Sequence, residues 1–394
     1  MTTLRSHFPG LDGLRALGAL FVVTTHVGFT SGDAVNGPFK GLLARMDSGV
    51  ALFFVLSGFL LFRPHVIAWF GERTAPDLGT YARRRVLRIM PPLLIAVVAA
   101  MVLLPWEDAT WFNYLAHATF LQIYLDDMQT NGLTQMWSLS TEVAFYVALP
   151  VVAYVLVRPP KTVPDRRAVL QRLGLLLATP LLGASWMALG VAVEKPNWGL
   201  WLPGFIGWFG LGMALALWQV SRALGVLRFS IVDEAARHPW TTWTLAVGIF
   251  LVAGSPIAGP YTLVASTPTS AFIKSLLYAI FAALVILPAV GVAGEEDPAP
   301  VRALGGRVGK FLGDISYGIF CYHLIVLYLT ERAMNHQVFG GNFWQLWVST
   351  VVGSIILASI SFYGLERPLM RRARQADRRQ RPSDAPATAV SARN

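Results

Sequence analysis

Long apolar runs, with the charges gathered between them, constrain this chain more than any other feature. Ten stretches of its 394 residues are long enough to cross a bilayer: about 13–30, 47–63, 90–106, 136–157, 172–193, 198–219, 240–258, 270–293, 311–330 and 343–365. A spanning helix needs roughly 20 apolar residues, because each residue rises about 1.5 Å and the hydrocarbon core is about 30 Å thick. Only 14% of the residues are charged, against about 25% in soluble domains. The expected fold is an all-α polytopic membrane protein. Residues 1–370 form a bundle of about ten transmembrane helices, and 371–394 form a disordered, basic, cytoplasmic tail.

The charges between the runs give an orientation. With the N-terminus in the cytoplasm and the runs alternating, 26 of the 32 Lys and Arg fall in cytoplasmic segments and five in outer ones. Arg15 lies within the first run. This asymmetry follows the positive-inside rule and places both termini in the cytoplasm. The net charge of +10 is therefore loop charge, and no nucleic acid partner is expected. Segment 110–125, TWFNYLAHATFLQIYL, is amphipathic. If it spanned, every later basic loop would move outside, so it is expected as an interfacial or re-entrant helix on the outer side. The single cysteine, Cys321, allows no intrachain disulfide and reads as a packed core residue.

Ionisable groups inside the apolar runs mark the candidate site, because burying them in lipid is costly. Arg15 and His26 are eleven steps apart in the first run. Eleven steps are three turns and roughly 20°, so the two share a helix face with about 16 Å of rise between them. Counting rise along the other helices puts Glu142 about 8 Å below the outer boundary and His323 about 18 Å above the inner one. His26, Glu142 and His323 are thus expected at similar depths, with Glu142 orienting or charging the centre and His323 touching donor or acceptor. A carboxylate beside an imidazole is the arrangement of a general base with its orienting partner. Arg85 and Arg88, at i and i+3, share a face that can grip a polyanion such as the phosphates of an acyl-CoA. They are expected to close the second cytoplasmic loop, which Pro91 and Pro92 stop. The Ser57–Gly58 pair provides either close helix packing or room for a ligand arm. Trp137 and six further tryptophans lie towards the outer face, as an aromatic belt or a sugar-stacking surface would.

Six motifs occur in order: GLDGLRALGALFVVTTH, GVALFFVLSGFLL, RRRVLRIMPP, MWSLSTEVAFY, SYGIFCYH and LERP. Together they resemble the acyltransferase 3 family of bacterial integral membrane O-acyltransferases, from residue 8 to about 370. The resemblance implies transfer of an acyl group, often acetyl, from cytoplasmic acyl-CoA. The acceptor is a hydroxyl on an extracytoplasmic glycan, glycolipid or small natural product. It implies residence in the bacterial inner membrane. The family's Arg-X10-His pair falls on Arg15 and His26, and its Arg-X-X-Arg motif on Arg85 and Arg88. The tryptophan-serine-leucine-glutamate motif falls on Trp137, Ser138, Leu139 and, three residues later, Glu142. Some members carry a further SGNH hydrolase-like domain at the C-terminus, and none is expected in this chain.

The expected site is therefore His26, Glu142 and Arg15 for catalysis, and Arg85, Arg88, Arg15 and Ser57 for the donor. Trp137 and His323 are expected at the substrate, and no metal is expected. Membrane lipids are expected neighbours, and a homo-oligomer is left open. The alternative expectation is a transporter or flippase of an acylated or polyprenyl-linked molecule that uses the same buried charges. No internal repeat is evident to favour it.

Overall fold

The structure is a computed structural model describing residues 4–159, 162–261, 267–292 and 295–380. The described residues contain helices and no strand. The principal helices are α1 (Gly10–Ser31), α2 (Gly49–Trp69), α3 (Leu78–Leu103), α4 (Trp111–Ala118), α5 (Trp137–Val157) and α6 (Arg166–Ala192). They continue as α7 (Leu202–Ala223), α8 (Pro239–Ala253), α9 (Pro268–Val290), α10 (Arg307–Ala333), α11 (Phe343–Ser361) and α12 (Arg367–Gln380).

Helix α1 is central, packed on α2, α10 and α11, while α2 packs on α7, α7 on α6, and both α6 and α8 on α9. Two glycines make the α2–α7 crossing possible. A Cβ on Gly58 would fall 2.1 Å from the Phe209 carbonyl oxygen, and one on Gly212 would fall 2.0 Å from that of Val55. Neither position has room for a methyl group, so Gly58 serves packing while its neighbour Ser57 faces a cavity. Gly58→Val is therefore expected to destabilise the bundle by about 1–3 kcal/mol, the usual cost of overpacking. The check is a lower melting temperature and a smaller monodisperse fraction after detergent extraction; an unchanged melting temperature would contradict the crossing.

Nine helical stretches among the described residues are long and apolar enough to cross a membrane. The expected tenth, 240–258, differs. Helix α8 has 15 residues, about 22 Å of rise. It stops at Gly254-Ser255-Pro256, where proline cannot continue the hydrogen-bond ladder. The buried Arg45 guanidinium takes up the freed carbonyls, donating to those of Ala253 (2.9 Å), Ala258 (3.0 Å) and Gly259 (2.6 Å). Arg45, expected as a loop charge, is thus a C-terminal helix anchor.

Two further expectations are corrected. Pro91 and Pro92 do not stop the segment before the third span, because α3 starts at Leu78 and runs through both. Arg85 and Arg88 therefore sit on a continuous helix. The prolines delete two ladder bonds, and in the same turn the Tyr317 hydroxyl donates to the Ile89 carbonyl (3.0 Å). The basic tail, expected to be disordered from 371, begins as helix α12, which reaches Gln380; residues 381–394 lie outside the described residues. Segment 110–125 forms the eight-residue α4, about 12 Å long and too short to span.

Candidate active site

Three cavities meet around α1, α2 and α5. The first, about 80 Å³, is lined by Arg15 of α1, Ser57 of α2, Arg85 and Arg88 of α3, and Glu142 and Tyr146 of α5. Helical spacing brings these groups together: Arg85 and Arg88 are one turn apart, as are Glu142 and Tyr146. Arg15 also pairs with Asp12, one turn earlier (2.9 Å). The Glu142 carboxylate accepts from the Ser57 hydroxyl and from the Tyr146 hydroxyl (2.6 Å). Three guanidinium groups thus face one carboxylate that is already hydrogen-bonded. The Nε of Arg85 is buried without a partner. A buried donor left unpaired costs about 1–3 kcal/mol, so this cavity has unmet capacity for an anion.

The second cavity is a vestibule of about 1040 Å³ lined by His26, Trp106, Asn113, His117, Asp126 and Trp137, among others. Its wall is the segment after α3. Asn113 accepts from the Thr110 amide (3.0 Å) and donates to the Asp127 carbonyl (3.0 Å). The Trp201 indole donates to the Ile123 carbonyl (3.0 Å), tying this wall to α7. His117 is buried, and its Nδ1 donates to the Asn113 carbonyl (2.9 Å). Burial holds its pKa below the ordinary value, which keeps it neutral.

His26 stands at the vestibule with its tautomer fixed. Its Nδ1 lies 2.8 Å from the Val22 carbonyl oxygen and 3.2 Å from Nε2 of His323. The carbonyl can only accept, so Nδ1 carries the proton. His323 Nδ1 lies 2.8 Å from the Phe320 carbonyl, so that nitrogen is also the protonated one and its Nε2 presents a lone pair to His26. The assignment follows from the bonds. It leaves Nε2 of His26 as the basic nitrogen. His323, expected at the substrate, is instead completely buried behind His26.

Glu142 and His26 line different cavities. Trp137, the first residue of α5, lines the vestibule with His26. Glu142, five residues and about 8 Å of rise further on, lines the arginine cavity. The histidine's orienting partner is therefore His323, and Glu142 belongs to the arginine cavity with Ser57. Trp137 lines both the vestibule and the third cavity. A half-buried network was not anticipated: Asp47 pairs with Lys274 (2.7 Å) and accepts from the Tyr278 hydroxyl. The available signal was Lys274 inside the apolar run 270–293, opposite an acid at the start of another.

Residues 8–363 match the family model described as an acyltransferase domain. The chain is 25% identical to the putative peptidoglycan O-acetyltransferase YrhL of Bacillus subtilis, over 92% of this chain and 55% of that protein. It is 23% identical to the peptidoglycan O-acetyltransferase OatA of Listeria monocytogenes, over 93% and 56%. With the acyltransferase MdmB of Streptomyces mycarofaciens the identity is 24%, over 90% and 87%. The chain spans about half the length of the two peptidoglycan relatives. No solved structure matches it.

Proposed function

The chain belongs to the acyltransferase 3 family of membrane O-acyltransferases, and from that premise we propose that it moves an acyl group from cytoplasmic acyl-CoA to a hydroxyl of an extracytoplasmic acceptor. The acceptor class is a glycan, glycolipid or natural product. The observation that carries this reading is the placing of Arg15 and His26 on one helix at two different cavities. The arginine cavity takes the donor's phosphates, and the vestibule takes the acceptor. The roughly 16 Å between them is comparable to an extended pantetheine arm. The orientation has both termini in the cytoplasm of the bacterial cell and the arginine end facing inwards, with α8 as a short tenth crossing. The 26-to-5 distribution of basic residues supports it.

In this reading Nε2 of His26 accepts the proton of the acceptor hydroxyl. The oxygen attacks the thioester carbonyl, a C–O bond forms and the C–S bond breaks. The proton on His26 then passes to the departing CoA thiolate. His323 is a positioning residue, since it reaches the reacting atoms only through His26. Glu142, held by Ser57 and Tyr146, sets the arginine side chains against the donor.

The direct test is free CoA release from acetyl-CoA by purified protein, with a cell-envelope extract as acceptor. Release and acceptor labelling that need His26 support the reading; transport of a labelled molecule without CoA release would overturn it. His323→Phe, which keeps an aromatic ring but removes the Nε2 contact, is expected to lower kcat on the order of tenfold, the worth of one hydrogen bond. The KM for donor should stay unchanged. Because a merely structural role would not alter titration, the pH profile of kcat is also read and is expected to move. An unmoved profile would reject the positioning role.

A further inference from the structure

The third cavity, about 260 Å³, lies beside the other two and is assigned no role by the mechanism above. Val50 lines both this cavity and the arginine cavity, and Trp137 lines both this cavity and the vestibule. It is therefore the space adjoining the place where donor and acceptor meet. Its walls are mostly apolar, with Phe205 and Trp208 on one side and Met187 on another. At one end stand Asp47 and Lys274, which are bonded to each other (2.7 Å). That end is a part-exposed ion pair, so the polar groups of this cavity are gathered at one end and the rest of its wall is apolar.

We infer that this cavity holds the acyl chain of the donor and favours chains longer than acetyl. The inference rests on the donor assignment proposed above. A thioester that climbs from the arginines presents its acyl chain first. The chain then meets either a polar, wet vestibule or this apolar space past Val50. Burying methylenes is favourable and leaving them in water is not, so the chain turns into the apolar side. The vestibule then stays free for the hydroxyl acceptor.

The test uses S-alkyl-CoA thioethers, which cannot react, bound to the full chain in nanodiscs. CoA, S-ethyl-CoA, S-butyl-CoA and S-hexyl-CoA are compared by their dissociation constants. Each added methylene is expected to tighten binding up to about fourfold. Two variants fill the cavity. A Cβ on Gly199 would meet only the Met187 sulfur, at 3.6 Å, so Gly199→Leu fits locally and directs its side chain inward. Ala271→Leu fills from α9. Each protein is read as its own ratio of S-hexyl-CoA to CoA affinity, so loss of folded protein cancels; partition into lipid is the same for all three proteins and cancels when the ratios are compared. The expected result is a steep gain with chain length in the natural protein that disappears in both variants. A flat series in the natural protein, with CoA itself binding, overturns this inference and leaves the donor assignment standing. A gain that survives both substitutions also overturns it, because the chain then lies elsewhere. Failure of CoA and all three thioethers to bind overturns the donor assignment and this inference with it.

Discussion

His26→Gln is expected to lower kcat for acyl transfer by about 10²–10⁴-fold, the usual contribution of a positioned general base. Glutamine carries no basic nitrogen, so the proton of the acceptor hydroxyl has no place to go. The KM for acyl-CoA is expected to stay within about twofold, because the donor's phosphates are held at the far end of α1, roughly three turns away. The measurement is steady-state kinetics on the purified variant, with its folding checked by thermal melting. A variant that turns over at the natural rate would remove His26 from the chemistry and, with it, the role given to His323. The carboxylate of Glu142 lines the arginine cavity and not the vestibule, so it does not stand in for the lost base.

Arg85→Met is expected to raise the KM for acyl-CoA by about 10–100-fold, the equivalent of losing one or two charge-assisted bonds. The folded protein should be no less stable. The reason lies in the unpartnered Arg85 Nε: deleting a buried donor that bonds nothing removes a cost rather than a contact. Methionine also keeps an unbranched, apolar side chain across the Tyr146 ring, over which the guanidinium now lies at 5.8 Å. Donors that lack the nucleotide, such as acyl-pantetheine, should be insensitive to the substitution. An equal loss with both donors would mean that Arg85 supports the fold and not the phosphates. A drop in melting temperature of several degrees would point the same way.

The two large effects draw on parts of the molecule that differ in how legible they are. Arg15 and His26 could be placed on one face from their numbers alone, because both belong to one helix and its periodicity fixes their relative angle. Arg85 and Arg88 were equally plain. Glu142 was read beside the histidines from rise alone, and it lines the arginine cavity while His26 lines the vestibule. The start of α5 depends on the vestibule wall that 110–125 and its neighbours build, and this is a tertiary fact. His323 was read towards donor or acceptor and stands buried against His26: rise along a helix is written in the sequence, but the neighbour that a side chain meets is not. Pro91 and Pro92 read as a stop because proline costs two ladder bonds. That cost is tolerated where neighbouring helices enclose the turn. The Asp47–Lys274–Tyr278 network went unread because its members come from segments about 230 residues apart.

Helix α8 bears on the lipid as well as on the protein. Its outer side is apolar and exposed at Trp240, Leu245, Val247 and Leu251, so acyl tails must cover it. Yet it is about 8 Å shorter than a typical hydrocarbon core, and beyond its last turn lies a fixed cation with a sheath of carbonyls. Lipids along that flank have to shorten or tilt to keep their tails off the polar Gly254-Ser255-Pro256 turn, at a cost of fractions of a kcal/mol per Å. The protein therefore carries its own local dent in the bilayer, on one side only. Short-tailed lipids will gather there as an annulus, and the thickness of the host membrane becomes a variable that tunes how the bundle is held.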